Sequence, residues 1–314
     1  MEVTALMKEK VVTALFQDMK DRGYDSQNKY AKYIKCLLDI PFDKAALSQI
    51  KKEEKRNVIK DTTWLTLANY FNLLGDGTWQ TAPTHAYETM TAYLDMCKNH
   101  GVWRTVCDHA SFGKTYSAEQ YAKHNKGSVF YIKCSDHETK PEFIKALAMQ
   151  FGIERRSSLR QMWIDATNEL LLVHRPLLIL DEFGDTHDQI ITLMKSLYNK
   201  ADRGDHLSLG VMHIGADNLA KRMDDGLRLR KPSYAEYFSR TGSEYLTLNY
   251  QSKKLSIIEN QARMNMILKS DIEKITDLNL TESLLSHRDE IVTQAFEKRN
   301  LRIIRDKIGI LSSL

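Results

Sequence analysis

Two short segments concentrate a lysine, a threonine and a pair of adjacent carboxylates. Between Val106 and Thr115 the chain reads Val-Cys-Asp-His-Ala-Ser-Phe-Gly-Lys-Thr, and an apolar run at Leu177-Leu178-Ile179-Leu180 ends in the adjacent carboxylates Asp181 and Glu182. Gly113-Lys114-Thr115, placed where a buried strand turns into a helix, offers backbone N–H groups and a helix N-terminus to phosphate oxygens. Lys114 would reach the β and γ phosphates and the Thr115 hydroxyl would bind Mg²⁺. Asp181 would hold that ion through its water shell, and Glu182 is spaced to orient and deprotonate an attacking water. The chemistry indicated is ATP hydrolysis with Mg²⁺.

The usual phosphate loop is G-x-x-x-x-G-K-[ST]. Here Asp108 stands at the first glycine and Ser111 where many ATPases carry another, so only Gly113 is kept. The cradle expected from this stretch is Asp108, His109, Ala110, Ser111, Phe112, Gly113, Lys114, Thr115 and Tyr116. A bare Gly-Lys-Thr also starts ordinary helices, so the context matters.

That context alternates strand and helix. Apolar patterning predicts a strand over 103–107, a helix over 114–123, strands over 127–132 and 177–182, a helix over 187–200 and a strand over 207–214. The last strand ends in Gly215-Ala216-Asp217-Asn218, so Asp217 and Asn218 would lie beside the γ phosphate if it runs between the other two motif strands. A basic stretch and the segment 234–240 follow, then a fifth strand over 243–248, and the pattern is helical from 252 onward. Residues 1–74 read as helices only, closed by the break Gly75-Asp76-Gly77. His213, inside a strand, reads as a core histidine.

Composition narrows the class. The 314 residues allow two or three domains, and the formal net charge is +4, of which the first 74 residues contribute +3 through 13 Lys or Arg against 10 Asp or Glu. No apolar run approaches the ~20 residues of a membrane helix, and the charged N-terminus is unlike a signal peptide, so a cytoplasmic protein with no membrane partner is expected. The four cysteines lack C-x-x-C spacing and predict neither a zinc site nor a disulfide framework.

The layout of Asp108 to Thr115, Leu177 to Asp185, Met212 to Leu219 and Phe238-Ser239-Arg240-Thr241-Gly242 resembles the AAA+ ATPases, and more narrowly the transposition ATPases related to MuB and TnsC. The resemblance implies an α/β fold: an AAA+ P-loop core with a parallel five-stranded sheet over 85–250, preceded by a helical domain over 1–74 and a linker over 75–84, and followed by a helical lid over 251–314. It implies an ATPase that assembles on double-stranded DNA as a ring or helical filament, recruits a transposase, and disassembles on hydrolysis. Arg240 matches the position that supplies an arginine to a neighbouring subunit's γ phosphate.

Residues 24–74 resemble a repressor-type helix-turn-helix, with Lys44 to Ile50 as the recognition helix. Lys44, Ser48 and Gln49 could read or position bases, and Lys51, Lys52, Lys55 and Arg56 could meet phosphates; a plain helical bundle is the other reading. DNA passing through a ring would meet loops around the second and third strands, where Lys133, Lys140, Arg155, Arg156 and Arg160 are suitably charged. Two alternatives share these features: a helicase-loader or replication-initiator ATPase, and a non-hydrolysing DNA-binding repressor that uses the fold as an oligomer scaffold.

Overall fold

The structure is a computed structural model that describes residues 3–52, 57–71, 73, 79–153, 158–248 and 256–312. The chain divides into two compact units. The break expected at Gly75, and the sites Lys55, Arg56, Arg155 and Arg156, lie outside the described residues.

The first unit comprises residues 1–78, 125–130 and 137–176. Its N-terminal part is four helices: α1 (Ala5–Asp21), α2 (Gln27–Leu38), α3 (Lys44–Ile50) and α4 (Asp61–Tyr70). Thr4, Ser26 and Asp43 cap the first three by accepting backbone N–H groups. Apolar residues at helical spacing, including Val11, Leu15, Tyr30, Ile34, Leu47, Ile50, Trp64 and Leu67, meet in one core. The α2–α3 connection is only Asp39 to Asp43, shorter than the Lys35–Asp43 span suggests, because α2 continues to Leu38 and Asp39 ends it in the left-handed conformation. Buried Asp18 accepts through Oδ2 from Arg22 and the Tyr30 hydroxyl, both at 2.9 Å, and its Oδ1 forms an ion pair with Lys126 at 2.7 Å, so a segment distant in sequence anchors α1. Helices α7 (Lys140–Met149) and α8 (Leu159–Leu172) complete this unit.

The second unit comprises residues 79–124, 131–136 and 177–314. Its helix α5 (His85–His100) leads into β1 (Trp103–Cys107), then α6 (Lys114–His124); β2 is Val129–Lys133. After β3 (Leu177–Asp181) come α9 (Asp188–Ala201), β4 (Gly210–Gly215), α10 (Asp217–Arg228) and α11 (Tyr234–Arg240). Helices α12 (Ile257–Asn279), α13 (Arg288–Glu297) and α14 (Arg302–Ser312) form the C-terminal bundle. No described helix is long and apolar enough to cross a membrane.

The sheet order is β1-β4-β3-β2, with β1–β4 and β3–β4 parallel. The fold is therefore α/β, with a sheet of four strands among the described residues, not five. The expected fifth strand reduces to one parallel bridge, Leu246 to Val106, made by Cys107 N to Leu246 O at 3.0 Å and Leu246 N to Thr105 O at 2.8 Å. Ser243, at φ 56°, turns the chain three residues before the bridge. Arg240 is the last residue of α11, where Tyr234 and Tyr237 are buried at i and i+3 and hold that segment helical.

Candidate nucleotide site

β1 is buried at four of its five residues and delivers the chain to the loop 108–113. Asp108, 6% exposed, occupies the first-glycine position with a structural role of its own. Its Oδ1 accepts from His109 N at 2.7 Å and its Oδ2 from Leu248 N at 2.8 Å, tying the loop's entry to the segment that bridges β1. Lys114 Nζ donates to the carbonyls of Asp108 at 2.7 Å and His109 at 2.6 Å, so the ammonium is held inside the loop's curve. Burial lowers its pKa, opposed by Asp108 and Asp181. Thus a cation sits at the N-terminus of α6, as phosphate binding requires.

The loop keeps its shape without the missing glycine because Ser111 itself adopts φ 66°, next to Gly113 at φ 82°. A left-handed non-glycine residue costs ~1–2 kcal/mol. Ser111→Gly relieves that strain but adds ~0.4–1 kcal/mol of unfolded-chain entropy, so a net gain of under about 1.5 kcal/mol is expected in urea unfolding. A loss of stability instead would mean that the Ser111 side chain makes a compensating contact and that its backbone is not the strained element. Ala110 lies exposed at the loop tip, and the Tyr116 hydroxyl pairs with Thr81 at 2.6 Å.

β3 is buried at every residue, carrying Asp181 to the sheet's C-terminal edge at 1% exposure. Burial raises the Asp181 pKa, while hydrogen bonds from Tyr131, Thr115 and its neighbour's N–H lower it. Tyr131 donates to Oδ2 at 2.8 Å and Glu182 N to Oδ1 at 3.0 Å. Hydroxyl and carboxylate oxygens are the ligands Mg²⁺ accepts, and it takes one or two carboxylates completed by substrate phosphates rather than an all-protein cage. The Thr115–Asp181 pair fits that pattern, and among the described residues no cluster of three or more His, Cys, Asp or Glu competes with it.

Glu182 follows at φ 53° and ψ 38°. β4 runs between β1 and β3, as the tip-residue expectation requires. Asp217 Oδ2 lies 3.7 Å from His109 Nδ1, beside the loop. Asn218 Nδ2 donates to Asp185 Oδ1 at 3.0 Å, beside the turn after Glu182. His213 is a core histidine: its Nδ1 meets Arg104 O at 3.1 Å, its Nε2 pairs with the Tyr237 hydroxyl, and burial pushes its pKa down to about 4.

Lys114, Thr115, Asp181 and the backbone of Glu182 are thus brought together with Asp108, His109, Asp217 and Asn218 close by. Arg240 is separate from them, its guanidinium 5.0 Å from the Tyr198 ring centroid and its Nη1 without a hydrogen-bond partner. Residues 106–223 match the protein-family model described as AAA domain. The match contains the phosphate loop, Asp181-Glu182 and the β4 tip. A solved structure that the chain resembles is the crystal structure of Cdc6p from Pyrobaculum aerophilum, with a TM-score of 0.43 at 14% identity, over 73% of this chain and 67% of that one. No curated protein matches the chain.

Three groups around this candidate site carry no signal in the sequence. Tyr131 secures Asp181 from β2. Arg222, on α10, grips the turn after Glu182. The third is Phe112, a loop residue 8% exposed whose side chain belongs to the C-terminal bundle's core with Leu268, Ile272, Leu284, Ile291 and Ile304.

In the first unit, Lys44, Ser48, Gln49, Lys51 and Lys52 are exposed while Leu47 and Ile50 are buried, so α3 presents its polar side outward. Lys140 and Arg160 are exposed in the same unit. Lys133, in the second, has Asp136 Oδ1 at 3.7 Å.

Proposed function

We propose that the protein is a DNA-binding AAA+ ATPase that oligomerises on DNA and regulates transposition by selecting target DNA and recruiting or activating a transposase. The observation that supports hydrolysis is the Thr115–Asp181 contact at the strand edge, with Lys114 and Glu182 beside it. Phosphate oxygens would take the Lys114 ammonium from the carbonyls of Asp108 and His109. Held by Thr115 and Asp181, Mg²⁺ would neutralise charge on the β and γ phosphates. Glu182 would orient a water and accept its proton, and Arg240 of an adjoining copy would meet the γ phosphate from outside.

The division of labour follows the domain scheme: 1–74 binds DNA, 75–84 links, 85–250 hydrolyses and 251–314 is the lid. The outward face of α3 supports DNA contact through Lys44, Ser48, Gln49, Lys51 and Lys52. The transposition role rests on the sequence resemblance to MuB and TnsC.

The test is fluorescence anisotropy of labelled duplex DNA with and without ATP across a salt series. Binding should strengthen with ATP, fall steeply with salt as counterions are released, and lose its ATP response in Lys114→Ala. DNA binding indifferent to both ATP and Lys114→Ala would overturn the ATPase part of the proposal. Salt-independent affinity would overturn the phosphate-contact part.

A further inference from the structure

The turn that follows Glu182 is gripped by one side chain that no motif identifies. Arg222, with its side chain 16% exposed, uses every nitrogen of its guanidinium. Nη1 donates to Phe183 O at 3.1 Å, Gly184 O at 3.2 Å and Thr186 Oγ1 at 2.9 Å. Nη2 donates to Asp188 Oδ1 at 3.3 Å, and Nε to the Tyr234 hydroxyl at 3.3 Å. Asp188 in turn accepts from Tyr234 at 2.6 Å and from Lys231 at 3.0 Å, so the acceptors are themselves fixed.

The same turn is held by a second α10 residue one helical turn earlier. Asn218 donates to Asp185, and a Cβ on Gly184 would come within 3.0 Å of the Asn218 amide nitrogen. Phe183, 1% exposed, closes the inner side, its ring 4.7 Å from His213 and 6.2 Å from Tyr237. Glu182 itself sits in the left-handed region at φ 53°. A non-glycine residue stays there only where its surroundings over-determine it, and here Asp185 N closes the turn onto Glu182 O at 3.1 Å while Arg222 holds the peptides on either side of Gly184.

We infer that Arg222 is a positioning residue for hydrolysis: by fixing the Phe183 and Gly184 carbonyls it keeps Glu182 in its left-handed conformation and so sets the direction of its carboxylate. The inference rests on the ATPase reading above. Lysine cannot replace Arg222, because a single ammonium cannot reproduce the planar fork that reaches carbonyl, hydroxyl, carboxylate and phenol acceptors together.

The test measures single-turnover ATP hydrolysis and, separately, affinity for a fluorescent ATP analogue, in Arg222→Lys, Glu182→Gln and the double variant. Arg222→Lys should slow hydrolysis about 10- to 100-fold, the scale of a misplaced catalytic group, with nucleotide affinity unchanged. The double variant should be no slower than Glu182→Gln alone, since Arg222 acts through Glu182. Full turnover in Arg222→Lys, an equal loss of affinity and turnover, or a further slowing in the Glu182→Gln background would each overturn the positioning role. Undiminished turnover in Glu182→Gln would instead defeat the ATPase reading itself, whatever Arg222 does. Thr186→Val, which removes one Nη1 acceptor and keeps the side-chain shape, guards against a folding defect: it should slow hydrolysis with affinity retained, and wild-type turnover there would count against the inference.

Discussion

Glu182→Gln is expected to lower ATP turnover by about 10²- to 10⁴-fold, the usual contribution of a positioned general base, while ATP affinity stays at the wild-type value. The amide keeps the shape of the side chain but cannot accept the water's proton. Nothing else in the site should move, because the contact from this residue to Asp181 is made by its backbone N–H at 3.0 Å. Asp181 therefore keeps both carboxylate contacts, with Tyr131 at 2.8 Å on the other oxygen. Isothermal titration with ATP and Mg²⁺, beside a phosphate-release assay, separates the two quantities. Loss of both together would show that the variant disturbs the metal end of the site. Turnover within threefold of wild type would remove Glu182 from the reaction.

That Lys114, Thr115, Asp181 and Glu182 stand at strand ends was legible in the sequence because the signal is local. Gly113-Lys114-Thr115 follows a buried five-residue strand, and Asp181-Glu182 ends another, so periodicity and residue type coincide within a few positions. The same patterning predicted β4 as a strand but left its place in the sheet open; it runs between β1 and β3. The fifth strand did not form as expected, since six residues of suitable composition do not reveal that, among the described residues, they make one bridge to β1, at Leu246. The segment 234–240 carried no element in the sequence, because the burial of Tyr234 and Tyr237 that makes α11 a helix depends on tertiary packing.

Tyr131 and Arg222 were invisible because their partners are remote. Tyr131 meets Asp181 across 50 residues, and Arg222 meets Thr186 across 36. An arginine at such a position reads as a solvated helix residue until the turn it grips is folded beside it. Lys126 is a comparable case in the first unit, where it neutralises Asp18 on α1.

Phe112 carries the second large expectation. In the sequence it is one of the variable positions between Asp108 and Gly113, yet its side chain packs with Leu268 and Ile272 of α12, Ile291 of α13 and Ile304 of α14. Truncating a buried phenylalanine costs about 3–5 kcal/mol, so Phe112→Ala should destabilise the C-terminal bundle by that order in urea unfolding, and Phe112→Leu, which keeps most of the volume, by under about 1.5 kcal/mol. The loop's next residue is close to the same bundle, since a Cβ on Gly113 would lie 4.0 Å from Leu301 Cδ1. A loop that loses this anchor must be ordered by the nucleotide instead. ATP affinity should therefore fall at least tenfold in Phe112→Ala, equivalent to about 1.4 kcal/mol, and much less in Phe112→Leu. If Phe112→Ala weakens the bundle and leaves ATP affinity intact, the packing of Phe112 serves only the bundle's stability, and the phosphate loop holds its shape through Asp108 and Lys114 alone.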